Sequence, residues 1–107
     1  MVKTKVNPGV CGFIADIEAE VRDYQFVKLR VNSSCEKISA IAEMLNKKEF
    51  NAYNEIRDGF DGEFYKIIKE NLKGACSACA VPIGMFKSMQ VVADLALPRD
   101  VLIEIKK

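Results

Sequence analysis

From Cys11 to Val21 the odd positions read Cys11, Phe13, Ala15, Ile17, Ala19 and Val21, while the even positions after Ile14 read Asp16, Glu18 and Glu20. Apolar and charged residues alternating with a period of two describe a strand with one face in a core and one in water. A second run puts Val27, Leu29 and Val31 on one face and Lys28 and Arg30 on the other, and the short Arg22-Asp23-Tyr24 stretch between the runs predicts a hairpin. Opposed residues of an antiparallel pair keep a constant sum of residue numbers. A sum of 46 sets Asp16 against Arg30 and Glu18 against Lys28 on the wet face, with Ala15 against Val31 and Ile17 against Leu29 on the dry face. The same sum brings Cys11 opposite Cys35 if the pairing extends that far. A sum of 48 also opposes unlike charges, so charge alone does not choose; 46 is the expectation.

Helical periodicity takes over after the hairpin. Ser33 followed three places later by Glu36 has the form of a capping box, and Ile38, Ile41, Ala42 and Leu45 give the next segment an apolar stripe. Cys35 then lies in the first turn of this helix. Phe50, Tyr53, Ile56 and Phe60 predict another helix, which Asp58-Gly59 and Asp61-Gly62 close with a turn. A helix from Glu63 to Leu72 turns Phe64, Ile67, Ile68 and Leu72 inward and stops at Gly74. Pro82 opens a last helix, with Met85, Phe86, Met89, Val92, Ala93 and Ala96 on its apolar face, and Pro98 ends it. The β-branched stretch Val101-Leu102-Ile103-Glu104-Ile105 predicts a third strand beside the hairpin. The expected fold is α+β: an antiparallel three-stranded sheet, made of the N-terminal hairpin and a C-terminal strand, packed against three to four helices. Its 107 residues fit a single domain, 1–107.

Function classes fall away on composition. With 50% hydrophobic and 29% charged residues the chain can build a core and is not a disordered polyelectrolyte. Sixteen basic against fifteen acidic side chains leave a net charge of +1, too little for general attraction to nucleic acid or an anionic membrane, and neither is an expected partner. Residues Met1 to Gly9 contain no apolar signal core, and the expected compartment is cytoplasmic. Histidine is absent, which removes Cys2His2 zinc sites and His-based nucleophilic catalysis. Asp16, Glu18, Glu20, Lys28 and Arg30 read as a solvated face of cross-strand pairs. Asp58 and Asp61 lack the spacing of a calcium loop.

What remains is four cysteines: Cys11, Cys35, Cys76 and Cys79. In a reducing compartment such spacing points to metal binding or thiol chemistry before disulfides. Cys76-Ser77-Ala78-Cys79 is a C-x-x-C knuckle that can grip one centre from a turn, and Cys11 and Cys35, as a cross-strand pair, would stand about 5 Å apart at Cβ. Cys35 and Cys79 sit at helix starts, where free amides and the helix dipole favour a thiolate. All four cysteines are therefore the expected ligands of one metal ion or iron-sulfur cluster, with zinc and iron-sulfur both satisfying four thiolates.

The stretch Leu72-Lys73-Gly74-Ala75-Cys76-Ser77-Ala78-Cys79, followed by an amphipathic helix, Pro98 and a terminal strand, resembles the C-terminal NifU-like domain, whose G-x-C-x-x-C stretch holds an iron-sulfur cluster for delivery to other proteins. That resemblance covers about the last third of the chain, and it departs in the place of Pro82 and in the helix that precedes the motif. Over its full length the pattern Cys11-Gly12-Phe13, Ser34-Cys35 and Cys76-x-x-Cys79-x-Val81-Pro82 resembles a small uncharacterised cysteine-containing family of anaerobic bacteria and archaea. It transfers no activity; an anaerobic setting favours iron-sulfur over zinc.

The expected function is metal or cluster binding, for cluster carriage or electron transfer with an acceptor or redox partner protein, and no reaction is assigned to it. Two alternatives stay open: thiol redox or persulfide transfer on the C-x-x-C pair, and a small interaction module with a structural zinc or inert cysteines. Met85, Phe86 and Met89, at helical spacing, are expected in the core rather than on a partner surface, and homo-oligomerisation is open.

Overall fold

In the computed structural model, which describes residues 1–107, the two alternating runs form the centre of a sheet. Strands β1 (Val2–Val6), β2 (Ala15–Arg22), β3 (Phe26–Ser33) and β4 (Phe50–Asn51) lie in the order β1-β2-β3-β4, each antiparallel to its neighbour. The sheet therefore has four strands rather than three. The C-terminal segment is not one of them: residues 98–107 adopt no regular structure. Strand β1 occupies the edge beside β2, and β4 begins at the other side of β3. Val2, Thr4 and Val6 alternate with exposed Lys3 and Lys5, a strand pattern that is short and half-lysine.

The hairpin pairs with a sum of 48, as in Glu18 opposite Arg30 and Ile17 opposite Val31. The expected sum of 46 is corrected by the turn. Asp23 and Tyr24 both take positive φ (53° and 65°), and three residues, Asp23 to Gln25, connect Arg22 to its partner Phe26. A slip of two residues keeps every side chain on its own face, so hydrophobic patterning cannot tell the two registers apart. With β1 in place the wet face gains rows of unlike charge, Lys3 beside Glu18 beside Arg30, and Lys5 beside Asp16.

Four α-helices complete the fold: α1 (Glu36–Leu45), α2 (Ala52–Asp58), α3 (Glu63–Asn71) and α4 (Val81–Val92), with short 3-10 turns at Gly59–Asp61 and Gly74–Ala78. Helix α1 packs on β3, and α4 lies across β1 and β2. The core between the layers joins Ile17 and Leu29 of the sheet to Ile38 and Ile41 of α1, Phe64 of α3, and Met85 and Met89 of α4, all essentially solvent-free. Met85 and Met89 are thus core residues.

Helix ends differ from the sequence expectation in two ways. Ser33 belongs to β3, and the N-cap of α1 is Cys35, without a side-chain cap bond. Ser33 Oγ instead accepts the Cys35 amide at 3.1 Å, and Ser39 Oγ donates to the Ser33 carbonyl at 2.9 Å, so the serine ties strand to helix. Helix α4 ends at Val92, well before Pro98: Asp94 turns to φ 59° and the Leu95 amide donates back to the Gln90 carbonyl at 2.8 Å. The start of α3 uses a distant group, the buried Glu55 carboxylate, which accepts the Phe64 amide at 2.7 Å. Gly74–Val92 has the length and composition of a membrane span, with mean hydropathy 1.3. Here it is a turn followed by α4, with one face of the helix in the core.

Close packing of α4 on the sheet depends on Gly84. A Cβ at this position would overlap Val6 Cγ2 and stand 3.4 Å from Ile17 Cδ1. One turn later, Ser88 Oγ donates to the Gly84 carbonyl at 2.7 Å and accepts from the Thr4 hydroxyl at 2.7 Å. Replacing Gly84→Val forces α4 off β1 and is expected to cost about 2 kcal/mol or more of stability, read as a lowered midpoint in chemical denaturation.

Candidate metal centre

All four cysteines line one cleft, of about 660 Å³, at the end of the sheet where α1 and α4 begin. They reach it from three separate segments. Cys11 stands in the loop between β1 and β2, residues 7–14, rather than in a strand, because β2 starts only at Ala15. The loop turns through Gly9 (φ 94°) and Gly12 (φ 71°), with the Gly12 amide donating to the Gly9 carbonyl at 2.9 Å. No atom lies within 4 Å of a Cβ built on either glycine, so both serve backbone conformation and not close packing.

Cys35 follows from the end of β3. As N-cap of α1 it stands next to the free amides of the first turn, and its carbonyl accepts the Ser39 amide at 2.8 Å. Cys76 and Cys79 come from the second 3-10 turn, closed by the Cys79 amide donating to the Cys76 carbonyl at 3.1 Å. Cys35, Cys76 and Cys79 are half-buried against the core, whereas Cys11 is exposed.

The cleft wall is mostly apolar, with Phe13, Ile38 and Leu72 among its residues. Burial in these surroundings pushes the Cys79 thiol above the usual thiol range. A hydrogen bond from the Val81 backbone amide pulls it back, and the negative charges that Cys11, Cys35 and Cys76 would carry push it further up. The four thiols are thus coupled electrostatically across the cleft. A cation that the spacing of the cysteines does not announce completes the site: Lys37 Nζ lies 3.4 Å from Cys76 Sγ. Lys37 is 39 residues from Cys76 in sequence, and only the packing of α1 beside the 3-10 turn brings them together.

The four expected site residues therefore share one cleft without converging on one point. No three Cys, Asp or Glu side chains stand within common reach of a single ion, and all four cysteines are free thiols. The expected cross-strand pairing of Cys11 with Cys35 fails for two reasons: the register is 48, and β2 begins only at Ala15, four residues after Cys11. Yet the donor set suits a soft, thiophilic centre, four sulfurs in apolar surroundings with an amide and an ammonium at hand.

Because the folded protein holds the Cys79 proton more tightly than an unfolded chain does, its contribution to stability falls as pH rises through the usual thiol range. The metal-free protein is expected to alkylate slowly at Cys79 near neutral pH, with a rate profile displaced to higher pH. Cys76→Ala removes a neighbouring negative charge and shifts that profile back down. Site-resolved mass spectrometry of iodoacetamide labelling across pH measures both effects, and a Cys79 profile equal to that of denatured protein would contradict them.

No curated protein and no solved structure matches this chain. A sequence model for a family of unknown function (DUF6951) matches residues 2–105, a span that takes in β1, all four cysteines and the C-terminal segment. The chain belongs to that family of unknown function.

Proposed function

We propose that this protein binds a thiolate-ligated metal centre, an iron-sulfur cluster in preference to zinc, through Cys11, Cys35, Cys76 and Cys79. The observation that carries the reading is the meeting of four thiols from three segments on one apolar cleft. That no three of these donors converge on one point favours the larger centre. Zinc at about 2.3 Å from each sulfur needs its ligands packed closely around one point, while a cluster spreads its thiolates over several iron atoms. The resemblance of the Cys76–Cys79 stretch to the NifU-like domain, and of the whole pattern to a family of anaerobic bacteria and archaea, points the same way and to a cytoplasmic setting.

In this reading Cys35, Cys76 and Cys79 are the ligands held by the fold, and Cys11, on its glycine-hinged loop, is the ligand that moves in. Bound there, the cluster would supply one-electron chemistry or be the cargo handed to an acceptor protein. The Val81 amide offsets charge on Cys79 sulfur, and Lys37 does the same for Cys76. The apolar wall covers one side of Cys35, Cys76 and Cys79, which are half-buried.

A second reading rests on the Lys37 contact alone. The Lys37 ammonium stands 3.4 Å from Cys76 Sγ, and a sulfur so placed three residues from Cys79 suits dithiol redox chemistry. Two thiols would lose two electrons and two protons to a disulfide acceptor as the Cys76–Cys79 bond forms.

Anaerobic reconstitution separates these readings. Iron and sulfide retained in equal amounts, with broad visible absorption lost to roughly background in Cys76→Ala or Cys79→Ala, is the expected result. A colourless protein with one zinc per chain would replace the cluster by a structural ion. Neither metal retained, with four thiols still reactive, would overturn the metal reading. In the loaded protein Lys37→Gln is expected to lower the reduction potential, by roughly tens of millivolts in a voltammetric titration, because a positive charge beside a cluster favours the added electron.

A further inference from the structure

The fold leaves two strand-like elements without partners. One is the outer edge of β1, which pairs only with β2 and so presents unpaired amides and carbonyls. The other is the arm Val101–Ile105, which makes no backbone hydrogen bond and leaves Leu102 80%, Ile103 68% and Ile105 91% exposed. Both border a single groove of about 540 Å³, floored by Ile83, Gly84 and Val91 of α4.

We propose that the β1 edge receives the C-terminal arm of a second copy of this chain, and gives its own arm in return, making a two-fold dimer in which each sheet has five strands. The two elements match in length and in alternation. Set antiparallel with Glu104 opposite Lys3, the arm brings Ile103 beside Thr4 and Val101 beside Val6 on the groove side, and places the carboxylate among the exposed amines of Lys3 and Lys5. Asp100 adds a second negative charge near Asn7. The occupant is thereby defined by charge and pattern: a strand with Val101, Ile103 and Ile105 toward the groove and Asp100, Leu102 and Glu104 outward, which the chain carries itself. The arm of the same chain already borders the groove yet stands off the edge, leaving its apolar residues in water. Exchange between copies buries both arms and satisfies both edges in one isologous contact. The family match ends at Ile105, so the arm lies within the segment that defines the family.

This inference is independent of what the cysteine cleft holds. Its test is sedimentation equilibrium of the full chain in reducing buffer, together with zero-length carbodiimide cross-linking of a mixed 14N/15N sample. The expected results are a mass twice the 12.0 kDa of one chain and mixed-isotope cross-links between Lys3 or Lys5 and Glu104. Ile103→Lys, at an exposed position where no core contact is lost, and removal of residues 101–107 should each return the protein to a monomer, with an unchanged circular dichroism spectrum showing the fold intact. A monomer at every concentration, cross-links confined to single chains, or a dimer that survives both changes would overturn the proposal.

Discussion

The apolar face of the central hairpin, Ala15, Ile17 and Ala19 from β2 with Val27 and Leu29 from β3, is the surface on which everything else is placed. Helix α1 seals one side of it and α4 the other, and the depth to which α4 sinks depends on the missing Cβ of Gly84 against Val6 and Ile17. Burying each of Ile17, Val27 and Leu29 contributes about 1.5–3 kcal/mol, so they and their helix partners supply a large share of the driving force for folding. Once both helices are seated, their N-terminal ends lie at the same end of the sheet. Cys35 and Cys79, which introduce those two helices, are carried there with them.

The cleft so made has graded rigidity. Three of its cysteines rest on the core, while Cys11 is exposed on a loop turned by two glycines in left-handed conformation. Three cysteines held on the core and one on a turn leave Cys11 the one most free to shift without repacking the core. The same apolar walls that raise the Cys79 thiol would shield bound thiolates from water, and Lys37 and the Val81 amide supply local compensation for their charge. Under the proposed reading, the least constrained of the four cysteines would be the one that completes the site.

The sheet's other end of interest is its free edge. β1 is anchored on its inner side by the Ser88–Thr4 hydrogen bond and on its wet side by rows of unlike charge, but its outer backbone lacks a neighbour. The same strand runs directly into the loop that carries Cys11. Whatever pairs with β1 therefore also steadies one end of that loop, which links the edge of the sheet physically to the cysteine cleft.

Local periodicity in the sequence was enough to place the two hairpin strands, the stripes of α1, α3 and α4, the buried Met85 and Met89, and Cys35 at the start of α1. These properties depend on neighbours a few residues away, whose spacing the chain displays directly. The β-rich composition of Val101–Ile105 was equally legible, but composition describes a capacity to pair and not the presence of a partner. Only the tertiary structure decided the hairpin register, because a two-residue slip leaves both faces unchanged and the left-handed residues Asp23 and Tyr24 settle it. It alone placed β1 beside β2, joined Ser88 to Thr4 across 84 residues, and set Lys37 against Cys76 across 39. Those contacts exist through the shape of the packed core, and no short-range pattern in the chain encodes that shape.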